Sequence, residues 1–171
     1  MKYTKNVFLK NNQKCLLRNA VGDDAQEVLN IFLLTHEQTD FLASYKDETS
    51  FDTAFEKQFL AEKEHADREV YLCAVVDGRI VGTANVDSMG ENKVRHRAEL
   101  GIAVDRAFWG VGIGRALIAA CIECAKEAGY SQLELEVVSE NGNAIALYKR
   151  MGFRSRFRGW QELISMRLEL D

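Results

Sequence analysis

The sequence predicts a mixed α/β fold, a sheet of parallel and antiparallel strands with helices on both faces. Three observations carry this expectation. Two strand-forming runs, 97–104 and 133–138, flank an amphipathic helical run that starts near Ile113. Such a crossover makes its two strands parallel neighbours. Asp77-Gly78 separates two apolar runs, 70–76 and 79–86, and is the signal for a two-residue type I′ hairpin. Finally, Gly110, Gly112 and Gly114 stand at the junction of the strand 97–104 and the helix after it. Backbone without Cβ atoms next to a helix N-terminus is built to receive an anion, and phosphate is the expected one.

The remaining elements follow in order. Residues 3–9 and 14–19 read as strands around the turn Asn11-Asn12. Asp24 and Glu27 are spaced as a capping box, and Ala25, Val28, Leu29, Phe32 and Leu33 then repeat at helical intervals. The stretch from His36 to Ser50 is polar and irregular. A second helix carries Phe51, Phe55 and Phe59 four residues apart, which reads as a core-packing stripe. Residues 87–94 read as a loop. In the helix after the glycines, Ile113, Leu117, Ala120, Cys121, Cys124 and Ala128 share one face, and Gly129 ends it. In the strand 133–138, Leu133, Leu135 and Val137 alternate with Glu134, Glu136 and Val138. Residues 141–151 form a helix closed by Gly152, and 153–158 and 162–170 are the last strands.

Composition limits what the chain can do. Its 171 residues are expected to form one domain, 1–171. A net charge of −4 argues against a general affinity for nucleic acid or for an anionic membrane. With no apolar run of about 18 residues and a polar start, neither a membrane span nor a signal peptide is expected, and the cytoplasm is the expected location. Cys121 and Cys124 form a C-x-x-C on the apolar face of a helix without a second ligand pair nearby, so buried reduced thiols are expected. His36, His65 and His96 show no ligand spacing, and no metal is expected.

The glycine run is not a P-loop, which needs a lysine after its last glycine. It is not a dinucleotide fingerprint either, because Arg115 and Leu117 stand where a third glycine would be required. Its wider context is more specific. Trp109-Gly110-Val111-Gly112-Ile113-Gly114 maps onto Arg/Gln-x-x-Gly-x-Gly/Ala, and Leu135-Glu136-Val137 is followed by Asn141-x-x-Ala144-x-x-Leu147-Tyr148-x-x-x-Gly152-Phe153. Both motifs, and the order of elements along nearly the whole chain, resemble the Gcn5-related N-acetyltransferases. One position departs from the pattern: Trp109 stands where the family has Arg or Gln, which leaves the backbone to carry more of the phosphate binding.

The resemblance implies a mostly antiparallel sheet whose two central parallel strands splay apart, with acetyl-CoA bound in the opening as co-substrate. Its pyrophosphate would meet the amides of residues 110–115, with Arg115 adding a charge-assisted bond. Its pantetheine arm would pair with Ile102, Ala103 and Val104 like an added strand. Asn141, and less directly Asn143, would also contact it. An amine with a pKa of about 10.4 must lose a proton before it attacks the thioester. Glu99 and Glu136 are the candidate bases, with Glu99 ranked first. Tyr148 is the candidate acid for the leaving thiolate, and a backbone N–H near Val104 the donor for the oxyanion.

The acceptor implied by the resemblance is a primary amine of a small molecule or a protein. Glu37, Asp40, Asp47, Glu48, Asp52 and Glu56 surround a single basic residue, Lys46, which suits either a cationic acceptor or a solvated acidic surface. Two function classes share the glycine run: a catalytic N-acetyltransferase, and a non-catalytic acyl-CoA-binding module that regulates a partner. Only the first needs Tyr148 and a base. A homodimer is common in the resembling family, and the sequence does not decide it.

Overall fold

A computed structural model of the chain describes residues 1–39, 52–90, 92–156 and 162–171. Its centre is an eight-stranded sheet in the order β1-β2-β3-β4-β5-β6-β8-β7. The strands are β1 (Thr4–Phe8), β2 (Lys14–Asn19), β3 (Val70–Val76), β4 (Arg79–Ser88), β5 (Arg97–Val104), β6 (Gln132–Val138), β7 (Arg154–Ser155) and β8 (Leu163–Glu169). Among the described residues four α-helices accompany them: α1 (Ala25–Gln38), α2 (Thr53–His65), α3 (Ile113–Glu127) and α4 (Gly142–Arg150). Every pairing is antiparallel except β5 with β6, which are parallel as the crossover through α3 requires. Asp77 (φ 50°) and Gly78 (φ 74°) form the expected left-handed hairpin turn between β3 and β4.

Strand alternation sends side chains to two cores. Leu72, Ala74 and Val76 of β3, with Val81, Ala84 and Val86 of β4, pack under Ile113, Leu117, Cys121 and Cys124 of α3. Cys73 and Ile80 point to the opposite face, where Val28 and Ile31 of α1 and Leu60 of α2 cover them. The four cysteines are buried and unpaired, and burial pushes the Cys124 thiol up to about 12.

Several local expectations are corrected. Asp24 does not form a capping box with Glu27. Its carboxylate pairs with Arg18 at 2.7 and 3.0 Å and accepts the Val21 N–H at 2.8 Å, while Glu27 reaches the Ile80 N–H at 3.2 Å. A charge-assisted bidentate pair is the stronger use of that carboxylate. The phenylalanine stripe is not a core stripe: Phe55 is 59% exposed, Phe59 meets the Tyr71 ring edge-on, and Leu60 supplies the buried contact. Phe51 lies outside the described residues. α1 runs on through His36 to Gln38, with the Thr35 hydroxyl and the His36 ring bonded to carbonyls one turn earlier. The rest of the irregular stretch, 40–50, lies outside the described residues. β4 extends to Ser88, paired to Ala98, so the loop after it is shorter than expected and contains a 3-10 turn at Asn92–Val94. β7 is only two residues long, and 157–158 are not among the described residues.

Candidate active site

The parallel pairing of β5 and β6 covers only Arg97–Gln132, Ala98–Leu133 and Glu99–Glu134. Beyond Glu99 the two strands separate, and a cleft of about 1310 Å³ opens between them. What fixes this point is electrostatic. Glu134, nearly buried, accepts from Arg97 at 2.6, 2.8 and 2.9 Å and from Arg167 of β8, with Arg156 a further 3.6 Å away. Burial opposes its ionisation, but the hydrogen bonds and charges of Arg97 and Arg167 outweigh that and lower its pKa from the ordinary glutamate value. Ion pairs across three strands therefore clamp the root of the splay.

On the β5 wall the Asp105 N–H donates to the Val81 carbonyl of β4 at 2.9 Å. Main-chain groups alternate sides along a strand, so Ala103 also turns toward β4, and those of Ile102 and Val104 face the opening. The Trp109 indole N–H already occupies the Val104 carbonyl at 2.8 Å. Gly110 (φ 77°) and Gly112 (φ 102°) are left-handed, and a Cβ on either would meet nothing within 4 Å. These glycines are thus required by backbone conformation, and the space above them is left open. Gly112 is the N-cap of α3 and has no side chain to cap it. The first N–H groups of α3 therefore point at the cleft without a side-chain partner, at the positive end of the helix dipole.

Two contacts that the sequence did not reveal hold this loop in place. The Lys10 N–H, from the β1–β2 turn, donates to the Val111 carbonyl at 2.9 Å. Gln38, at the end of α1, donates to Asp105 at 3.0 Å and accepts the Arg106 N–H at 2.8 Å. Long-range bonds of this kind leave no local sequence signal. Lys10 and Arg106 also line the cleft, and the Arg106 guanidinium lies 5.6 Å from the Trp109 ring centre.

The structure brings most of the expected site residues to this one cleft. Ile102, Ala103, Val104, Trp109, Gly110, Gly112, Ile113, Gly114 and Arg115 line it, with Asn141, Asn143 and Tyr148 from the α4 side. Val111 does not. It packs against the main core and spends its carbonyl on Lys10. Asn141 caps α4, its side chain accepting the Ala144 N–H at 3.3 Å. Tyr148 is buried with its ring against Phe153. Burial pushes its hydroxyl up to about 12, so it stays protonated at neutral pH.

Glu99 of β5 and Glu136 of β6 both line the cleft. Glu99 keeps much of its surface, yet the cleft wall withdraws its carboxyl from water on one side. That desolvation, then the charge of Glu136 and of Asp87 and Glu134, raises its pKa above the ordinary glutamate value. The sequence reading passed over Asp87 and Asn85, which line the same wall from β4. Of the acidic residues expected to select a cationic acceptor, Glu56 is buried rather than on a surface, and burial raises its pKa. Asp52 caps α2 by accepting the Ala54 N–H at 2.9 Å. Asp40, Lys46, Asp47 and Glu48 lie outside the described residues.

Comparison with known proteins places this geometry. The sequence model of the acetyltransferase (GNAT) family matches residues 30–153. An uncharacterized N-acetyltransferase of Methanocaldococcus jannaschii is 31% identical over 163 residues, covering 86% of this chain and 65% of the relative. The chain spans between about half and about two thirds of the length of the first curated relatives it matches. The crystal structure of a GNAT-family acetyltransferase from Streptococcus pneumoniae superposes with a TM-score of 0.81 at 26% identity, covering 91% of this chain and 99% of that one. The Salmonella typhimurium protein yncA, solved with its cofactor acetyl-CoA, has the same fold: TM-score 0.78, 24% identity, 92% of this chain and 94% of that one.

Proposed function

Because the chain belongs to the acetyltransferase (GNAT) family, we propose that it moves an acetyl group from acetyl-CoA to a primary amine, by direct attack in a ternary complex and within a single domain. The observation that carries this reading is the end of β5–β6 pairing at Glu99, which opens a cleft between an α-helix N-terminus and a buried tyrosine. The helix end and the left-handed glycines suit a pyrophosphate. The unpaired main-chain groups at Ile102 suit the amides of a pantetheine arm.

The chemistry follows from the groups on the two walls. The amine nitrogen forms its bond to the thioester carbon, and the carbon–sulfur bond breaks. Glu99, directly or through a water, takes the amine proton. Its raised pKa brings it nearer the amine's own and makes it a better base than an ordinary glutamate. Glu136, the second carboxylate on the cleft, would draw the cationic amine in before Glu99 takes its proton. The main-chain N–H of Val104 faces the opening and would stabilise charge developing on the carbonyl oxygen. Tyr148, protonated up to about pH 12, gives its proton to the departing sulfur. The products are an N-acetyl amide and free CoA thiol.

No helix among the described residues is long and apolar enough to cross a membrane. Four buried, unpaired thiols suit a reducing compartment, and we place the reaction in the cytoplasm.

The test is to incubate the chain with acetyl-CoA and a panel of primary amines while following free thiol. Thiol release that depends on one class of amine is the expected result. CoA binding without thiol release for any amine would replace the enzyme by a regulatory acyl-CoA-binding module, and no binding would remove both.

A further inference from the structure

The acceptor wall of the cleft holds an ion cluster that the family motifs do not include. Lys63, in the last turn of α2, places its ammonium 2.7 Å from Asp87 and 2.5 Å from Glu69. Its side chain is only 15% exposed, and the ammonium also lies 5.5 Å from the Phe59 ring centre. The other oxygen of Asp87 accepts the Asn85 side-chain N–H at 2.6 Å, and the other oxygen of Glu69 accepts the Ser88 N–H at 3.0 Å. Asn85 in turn fills the space above Gly101, where a Cβ would lie 2.5 Å from its Oδ1. Asp87 is therefore held at both oxygens. In the antiparallel register of β4 and β5 it sits directly opposite Glu99.

We propose that Lys63 is a positioning residue for the acetyl transfer: by pairing with Asp87 it fixes that carboxylate beside Glu99 and limits the negative charge under which Glu99 must give up and accept its proton. The proposal rests on the reading of Glu99 as the base. With both oxygens committed, Asp87 acts through its charge and is not itself the proton acceptor. One lysine serves two carboxylates, Asp87 on the cleft wall and Glu69 outside it, so its loss leaves both without their cation.

The other charges around Glu99 come from the neighbouring elements. β6 contributes Glu136 and Glu134, the latter neutralised by Arg97, Arg167 and Arg156. Glu69, which precedes β3, is held by Lys63 and the Ser88 N–H, and β3 contributes the Tyr71 hydroxyl, which burial pushes up to about 12 and so keeps neutral. α1 and α4 bring His36 and Tyr148 to the same cleft. Lys63 is the only cation in contact with Asp87 among the described residues. Removing it adds net negative charge beside Glu99, which then holds its proton to higher pH.

The experiment is a carboxyl-carbon NMR titration of Glu99 in the full chain, assigned by Glu99→Gln, with Lys63→Met, Lys63→Arg and Asp87→Asn alongside. The Glu99 midpoint should rise by about half to one pH unit in Lys63→Met. It should return toward the wild-type value in Lys63→Arg and fall in Asp87→Asn. The acid limb of the pH–rate profile, read as thiol release with the best amine of the panel, should move by the same amount in each variant. If Lys63→Met does not fold, the fall in Asp87→Asn carries the test. A Glu99 midpoint unmoved in the folded variants overturns the proposal. Full turnover by Glu99→Gln would instead overturn the assignment of the base, so the two failures are told apart.

Discussion

Around Gly110–Gly114 the cleft is walled by main chain, whereas around Glu99 it is walled by side chains that hold one another in place. On the first side the conformations of Gly110 and Gly112 and the start of α3 create the binding surface, and few side chains are involved. On the second side Lys63 and Asn85 hold the Asp87 carboxylate, Arg97 and Arg167 hold Glu134, and both carboxylates lie near Glu99. A backbone site recognises a chemistry that does not vary, a pyrophosphate and its amide arm. A side-chain site can be retuned by one substitution, and it is here that amine acceptors would be told apart. The two walls should therefore fail differently when altered: one in cofactor affinity, the other in rate and pH dependence.

The largest effect is expected at the tyrosine that both walls share. Tyr148→Phe keeps the ring against Phe153 and removes only the hydroxyl. Turnover should fall by about 10²–10⁴-fold, the usual range for a lost general acid. Acetyl-CoA affinity, measured by calorimetry, should stay within about twofold if this is a loss of chemistry alone. A parallel loss of affinity would make Tyr148 a packing residue.

Next comes the clamp at the root of the splay. Glu134→Gln leaves Arg97 and Arg167 facing each other, and a broken buried ion pair of this kind costs about 3 kcal/mol, read as the denaturation midpoint. The sign with pH follows from the lowered pKa of Glu134 in the folded chain. Its stabilising contribution is complete above the unfolded glutamate value of about 4.3 and is lost as pH falls through the lower folded value. The wild-type chain should therefore lose stability over that acid window more steeply than Glu134→Gln. On the backbone wall, Gly112→Ala forces a Cβ onto a φ of 102°. The strain of about 1–2 kcal/mol and the lost open space should weaken acetyl-CoA by roughly tenfold with kcat little changed.

This division also decides what could be read from the sequence. The glycine loop, the β3–β4 hairpin and the crossover through α3 are local, so glycine positions, Asp77-Gly78 and apolar periodicity announce them. Tyr148 and Asn141 were legible because both belong to one short helix motif. The Lys63–Asp87 pair spans 24 residues and the Gln38–Asp105 pair 67, and neither leaves a trace in spacing. Glu134 reads as the solvent half of an alternating strand until Arg97 and Arg167 are seen beside it. The phenylalanines of α2 mislead for the converse reason: their helical spacing is real, but the strands below accept Leu60 and leave Phe55 in water. Periodicity reports that a face exists and not which tertiary partner covers it.

Trp109 gives the smallest and most selective test of the backbone wall. It replaces the family's Arg or Gln, is 52% exposed, and uses its indole N–H to occupy the Val104 carbonyl at the point where the cleft begins. Its ring also carries the Arg106 guanidinium, which restores a positive charge near the glycines. Trp109→Phe removes the indole N–H and keeps a ring for Arg106. A hydrogen bond that water can replace is worth about 1 kcal/mol or less, so acetyl-CoA affinity should move by no more than about fivefold. Trp109→Ala removes the ring as well and releases Arg106. A cation–π contact at an exposed site contributes about 0.5–1 kcal/mol, which corresponds to a two- to fivefold weaker affinity. If Trp109→Phe already costs tenfold, the indole N–H is a direct part of the cofactor site, and the main chain carries less of the phosphate-side binding than its open geometry implies.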